Sequence, residues 1–593
     1  MMRKNILGLS FLFLSSLLLA ACGSKTPASS APVSSPDVST LLKAKAVEVY
    51  RDKTTHQSIS LYFEDAMPEI PFISLEFAQQ FLVSGAQENG AATFDITSSK
   101  QDSVVTWTRE KDNGSTVVFD FTGKTVTFSA FEAFSEMPFA VSPLDPVSLD
   151  QKDASGNPLY IIHDQSKSAI NNAGQALSLN LAHYAIPMVY QDGTGYLPLQ
   201  FFSDFFSSQT VGLLTYNGSS VFLSGSDLGE MSDLFYSVEA KSRSASLIDY
   251  NYHELCLALD VYYGLKSQHG ITDFDSYLTA CGLKADLLST DSAKASAAIM
   301  KLTNWHLEDL HSGFSSPSAY AGANSVTWTY SPDMKAQEKA FSLYSTAREA
   351  VLKTKTPSSY YEDGDTAFVT FDHFTSLAAD YYTNPVTEAP LLVADPRVMA
   401  PDTFAVVTYA HSQITRANTP IKNVVIDLSC NGGGALDALA YVAGWLVDDD
   451  ILDVESTASG IRAENYYRVD TNLDKTFDAK DKISDKKLYC LVSPSSFSCG
   501  NYLPSMLKIR QKATLIGQTS GGGGCMVKPL GTADGTLFQI SGNMSMRVAH
   551  NGSFNDIDQG MEPDYRLGDP YAFYDRATMA KDIDDGVYGK INS

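Results

Sequence analysis

The sequence predicts a multidomain α/β protein: a β-rich, internally duplicated N-terminal region, then a helical segment, then an α/β core. Three observations predict it. Through much of 44–226 apolar and polar residues alternate, the two-residue period of half-buried strands. Over 227–318 the apolar spacing changes to three and four residues, the period of packed helices. In 319–582, "IKNVVIDLSCNGGGALDALAYVAGWL" and "KKLYCLVSPSSFSCGNYLPSMLK" each run from a buried strand through a loop of small residues into an apolar helix.

The first element is a leader. Residues 1–22 place Arg3 and Lys4 before an apolar run that ends in small residues, which is the grammar of a secretory signal. Its end, Leu19-Ala20-Ala21-Cys22, resembles the lipobox of bacterial lipoproteins, which implies lipidation of Cys22 and attachment to a membrane through that lipid. Residues 23–43 are rich in Ser and Pro and read as a solvated tether. An extracytoplasmic, membrane-anchored location is therefore expected. The full chain of 593 residues, 44% hydrophobic, can bury cores in three or four units. A formal charge of −25 with no basic stripe argues against nucleic acid as a partner, because such binding rests on Lys and Arg neutralising phosphates. Six further cysteines permit disulfides and leave their pairing open.

Within 44–226, "SISLYFEDAMPEIPFISLEFAQQFL" and "SLNLAHYAIPMVYQDGTGYLPLQFFSDFF" share one order: alternating strand, turn, a strand with a central proline, and an aromatic amphipathic helix. No acid–base constellation stands out there. Residues 227–318 hold two or three helices, the last running into "LEDLHSGF", so that His311 is expected where that helix runs out.

In the core, the loop after Leu428 carries Asn431 and three glycines, whose exposed amides can face an anion. It lacks the lysine and hydroxyl residue of a nucleotide-binding loop. The second strand turns through Ser495, Ser496, Phe497 and Ser498 into a helix starting near Cys499, a geometry that can present a nucleophile and a free amide together. Further on, "GQTSGGGGC" sets four consecutive glycines, Gly521 to Gly524, after a strand. Glycine serves positive φ and close main-chain approach, which raises the question of what approaches here.

Taken in order, "DLHSGF", "VIDLSCNGGG" and "SPSSFSCGN" resemble the tail-specific, or C-terminal processing, serine protease family, over roughly residues 230–580. The resemblance implies a ClpP/crotonase-like core, a peptide or protein substrate, no cofactor for catalysis, and Ser498 as nucleophile. It places the oxyanion donors on the amides of Cys499 and of Gly433 or Gly434. The family's lysine base falls on Gly523, so no base stands there, and the nearest lysine is Lys528. A second branch, that of the tricorn core and the retinoid-binding-protein-like peptidases, takes its base from an upstream histidine; His311 is similar to that residue. The same branch places an acid near "FNDIDQGMEPDYRL", implying Asp558 first and Glu562 second, with Asp556 behind.

The chain departs from the family at Asn501, where an acid is expected, and at Cys499, a large neighbour for the nucleophile. Between Phe314 and Thr366 there are too few residues for a PDZ module. These features point to an exported serine peptidase; the competing expectations are an inactive peptide- or ligand-binding lipoprotein on the same fold and a scaffold acting through its β modules. Separately, Asp470, Asn472, Asp474, Asp478 and Asp481 stand at positions one, three, five, nine and twelve of an EF-hand-type loop, which makes calcium a candidate ligand, although Lys475 replaces the usual glycine.

Overall fold

The computed structural model describes residues 41–589, apart from 90, 92–93, 111–113, 137–143, 148–159, 173, 378, 395–397 and 448–450. The expected leader, Cys22 and most of the tether lie outside the described residues.

The two proline-containing strands pair with each other. Met67–Ser74 runs antiparallel to Thr194–Pro198, with Leu197 opposite Ile73 and Pro198 opposite Phe72, inside a seven-stranded sheet. Each strand passes directly into a helix. Leu75–Glu88 starts at Ser74, whose hydroxyl accepts from the Phe77 amide, and Leu199–Phe202 continues as a π turn, Ser203–Ser207. The second helix supplies Phe201, Phe202, Phe205 and Phe206, all buried. Phe206 packs on Trp107, Phe119 and Phe128 of a five-stranded antiparallel sheet, and so fastens the two sheets together.

Three capped helices follow: Ala245–Tyr262 on Ser244, Phe274–Ala280 on Asp273, and Ser292–Lys301 on Asp291. The last ends in a π turn, Leu302–His306. His311 therefore lies beyond the helix end, in the loop that enters the strand Gly313–Ser316. Between that strand and the core, the chain forms the helix Pro332–Leu352.

The core sheet has six strands in the order Tyr360–Asp363, Thr366–Thr370, Asn423–Asp427, Lys487–Val492, Ala513–Gly517, Tyr565–Arg566, all parallel but the first. Its strands are apolar on both faces because both are covered. Val424 and Ile426 pack with the helices Thr403–Ile414, Leu436–Leu446 and Cys499–Ile509. Val425 points the other way, toward Tyr344, Phe573 and Met579. The loops leaving the carboxyl ends of three adjacent strands, at 428–435, 493–498 and 518–524, thus gather on one side of the sheet, where open parallel sheets carry their sites.

A second sheet closes the site. Its 14-residue strand Leu537–His550 pairs with Gly313–Ser316, Ile451–Ser456 and Cys525–Gly531. Arg462–Val469 extends it and receives Ile161–His163 and Ala169–Asn172. Residues 161–163 and 169–172, from the stretch 44–226, therefore pair within this second sheet. All six cysteines outside the leader are unpaired.

Candidate active site

Ser498 is set apart from its neighbours. Ser493 Oγ donates to the Ser429 carbonyl at 2.6 Å and Ser496 Oγ to the Leu428 carbonyl at 2.7 Å, so these two hydroxyls staple the serine turn to the glycine loop. Ser498 instead has φ 58° and ψ −122°, a conformation costly for any residue but glycine, and its side chain does not cap the helix it precedes. Its amide donates to the Gly522 carbonyl at 2.9 Å, and its carbonyl accepts from Asn501 and Tyr502, which begin the helix. A strained, half-exposed serine held by main chain on both sides has the geometry that a nucleophile would need.

The glycine loop approaches it closely. A Cβ at Gly433 would stand 2.6 Å from Ser498 Cβ, and one at Gly434 only 2.2 Å from the Phe374 carbonyl oxygen. The Gly433 amide donates to Asn431 Oδ1 at 2.9 Å and is already engaged. The amides of Gly434 and Cys499 enter no main-chain hydrogen bond among the described residues. Of the expected oxyanion donors, Gly434 and Cys499 thus remain available and Gly433 does not. The Cys499 thiol faces the Gly434 carbonyl at 3.3 Å and burial pushes it up to about 12, which makes it a poor competitor as nucleophile.

His311 is 7% exposed, and its ring lies 4.7 Å from the ring of Phe497, the residue before Ser498. Burial depresses the imidazole to about 4, against the opposing pull of the Asp309 charge. Its Nδ1 is buried without a hydrogen-bond partner.

Residues 403–567 match the model of peptidase family S41. His311 precedes this S41 segment. No curated protein matches the chain in sequence. Among solved structures, the photosystem II D1 C-terminal processing protease is similar at 21% identity and TM-score 0.24, the match covering 37% of this chain and 47% of that one. The chain thus spans about half the length of that protease. A putative peptidase from Parabacteroides merdae is similar at 14% identity and TM-score 0.40, over 59% of this chain and 98% of its own. The tricorn protease is similar at 10% and 0.30, over 92% and 59%. At these values the chemistry is left to the residues themselves.

Within 403–567, three of the four consecutive glycines have a steric reason. A Cβ at Gly521 would meet the Pro494 carbonyl oxygen at 2.4 Å, one at Gly522 the Asp558 carbonyl oxygen at 1.9 Å, and one at Gly523 the Phe497 ring at 2.4 Å. The space a side chain at Gly523 would take is thus filled by the Phe497 ring, which packs on His311. Asp558 clamps this loop: its carboxylate accepts from the Gly524 amide at 2.8 Å and its carbonyl from Gly523 at 3.0 Å. Asp558 therefore braces the glycines and does not bond His311 Nδ1. Glu562 is exposed, accepting from Thr519 at 2.8 Å and pairing with Arg566, and is not a partner of the histidine. Asp556 pairs with Arg547. Lys528 is buried 4.1 Å over the Tyr262 ring and 4.0 Å from Glu136, which removes it as a base for Ser498. Asn501, where the family has an acid, bridges Ser520 Oγ at 2.6 Å and the Ile557 carbonyl at 2.9 Å.

The carboxylates of the acidic loop are met by amides of the loop itself. Asp470 accepts from the amides of Asp474 and Lys475 and from Tyr382, and Asp481 from those of Thr471, Asn472 and Asp478. Asn472 turns its amide nitrogen toward Asp474 and accepts from that residue's amide. Among the described residues no group of three His, Cys, Asp or Glu is arranged to hold a metal ion. Short acidic side chains bond nearby amides in plain loops as well. The melting temperature is accordingly expected to stay the same in millimolar calcium, magnesium or chelator; a calcium-specific rise lost in Asp470→Ala would restore the site.

Sequence reasoning missed two residues: Phe497, whose ring sets the surroundings of His311, and Asp309, two positions before the histidine. The acidic residue inside "EDLHS" was the available signal.

Proposed function

We propose that the chain is an exported, lipid-anchored serine peptidase that hydrolyses peptide bonds in peptide or protein substrates through an acyl-enzyme on Ser498. His311 takes the Ser498 proton as the hydroxyl attacks the scissile carbonyl and returns it to the leaving amine; water then repeats the sequence to release the acid. The Gly434 and Cys499 amides receive the oxyanion. The observation that carries the reading is the strained Ser498 at a strand-to-helix turn beside two unengaged amides. The signal grammar of 1–22 supports anchoring through lipid on Cys22 outside the cytoplasm; loss of detergent-phase partition in Cys22→Ser tests it.

A second reading, peptide binding without turnover, is favoured by the partnerless Nδ1 of His311. The pH–rate profile separates the two. A base must be neutral, and burial favours the neutral imidazole, so activity should rise with pH through about 4 and stay level from 6 to 8. An ordinary exposed histidine would give a limb near 6.5. Retention of most activity in His311→Ala, or a rise only above pH 9, contradicts the mechanism.

A further inference from the structure

We propose that Asp309 is the positioning residue of the catalytic pair, fixing the turn that carries His311 and supplying the negative charge that the imidazolium meets. The inference rests on the Ser498–His311 reading and deepens it.

The geometry is that of a fully engaged carboxylate. Asp309 Oδ1 accepts from the Ser312 amide at 2.7 Å and from Ser541 Oγ at 2.8 Å; Oδ2 accepts from Ser312 Oγ at 2.7 Å and from the Tyr263 hydroxyl at 3.0 Å. These donors come from the turn itself, from the long strand Leu537–His550, and from the residue ending the helix Ala245–Tyr262. Ser312 Oγ in turn accepts from the Ser541 amide at 3.2 Å, and Gln539 on the same strand donates to the His311 carbonyl at 2.9 Å. The histidine is thus bracketed in sequence by groups locked to one strand, while Phe497 packs against its ring. Asp558 and Glu562 do not hold this turn: the Asp558 carboxylate accepts from the Gly524 amide and that of Glu562 from Thr519.

The Asp309 charge, two positions before His311 in the same turn, opposes the effect of burial on the imidazole, because an anion favours its protonated form. Beyond Asp309 stand Tyr263, its hydrogen-bond partner His269, Cys525 and Asp558.

The test uses the full chain and two readouts. In Asp309→Asn, which keeps the shape and some of the hydrogen bonds, kcat should fall about 100-fold with KM little changed, the size of effect expected from misplacing a reacting group by on the order of 1 Å. In a Ser498→Ala background, the 13Cε1 resonance of His311 should titrate at a lower pH once Asp309 is neutral. Asp309→Glu, retaining the charge, should keep the parental midpoint. An unchanged kcat or an unchanged midpoint in Asp309→Asn overturns the proposal. If that variant does not fold, Tyr263→Phe with Ser541→Ala removes two donors and should lower kcat at constant KM; no change overturns it equally. Absence of Ser498-dependent turnover in the parent would end the peptidase reading, while the titration still reports the Asp309–His311 pair.

Discussion

Ser498→Ala is expected to lower turnover by at least about 10⁴-fold, because removing the nucleophile of a serine peptidase leaves only binding and oxyanion stabilisation. Folding should be untouched. The Ser498 hydroxyl caps no helix, and the turn is held through its main chain by Gly522, Asn501 and Tyr502. Ser498→Gly extends the argument: glycine adopts φ 58° without the cost a side chain carries there, so this variant should be equally inactive yet more stable by about 1 kcal/mol. A drop in melting temperature for both variants, with activity retained in Ser498→Ala, would mean that the strain serves packing alone. Ser496→Ala is the contrast. Its hydroxyl ties the turn to the Leu428 carbonyl, so its loss should cost stability as well as rate.

Gly522→Ala carries the largest expected stability effect. Its φ is +79°, and a methyl group would stand 1.9 Å from the Asp558 carbonyl oxygen, which is main chain that cannot swing aside. The strained dihedral and the overpacking each contribute about 1–3 kcal/mol, and the 518–524 and 556–561 loops must separate to accommodate it. Gly552→Ala is the control, with φ +78° but nothing within 4 Å of the added carbon. Thermal unfolding followed on both should show a much larger loss at 522; equal losses would show that the close approach of the two loops is wrong. The same packing bears on catalysis. A lysine at Gly523 would collide with Phe497, so Gly523→Lys should fail to restore activity to His311→Ala.

The order of strands and helices was legible because periodicity reports which faces are buried, and in the core sheet both faces are. The place of Ser498 between a strand and a helix was legible because a strand, a serine turn and an apolar helix occur in unbroken succession. The rest depended on contacts between distant segments. That Asn431 Oδ1 engages Gly433 and leaves Gly434 open follows from a loop conformation shared among 371, 431 and 497, not from composition. That Asp558 braces glycines follows from two loops lying 34 residues apart in sequence. That Lys528 is spent on Tyr262 and Glu136 required a strand of the core to face the N-terminal region. The pairing of 161–172 with 462–469 spans about 300 residues, and edge pairing of that kind leaves no local signature.

The central claim is that Ser498 is an activated nucleophile. Labelling the full chain with a fluorophosphonate and mapping the modified peptide tests it most directly. The account predicts one adduct, on Ser498, absent in Ser498→Ala and formed far more slowly in His311→Ala. A folded protein that hydrolyses peptides while the adduct sits on another residue, or while Ser498 stays unmodified, would contradict it.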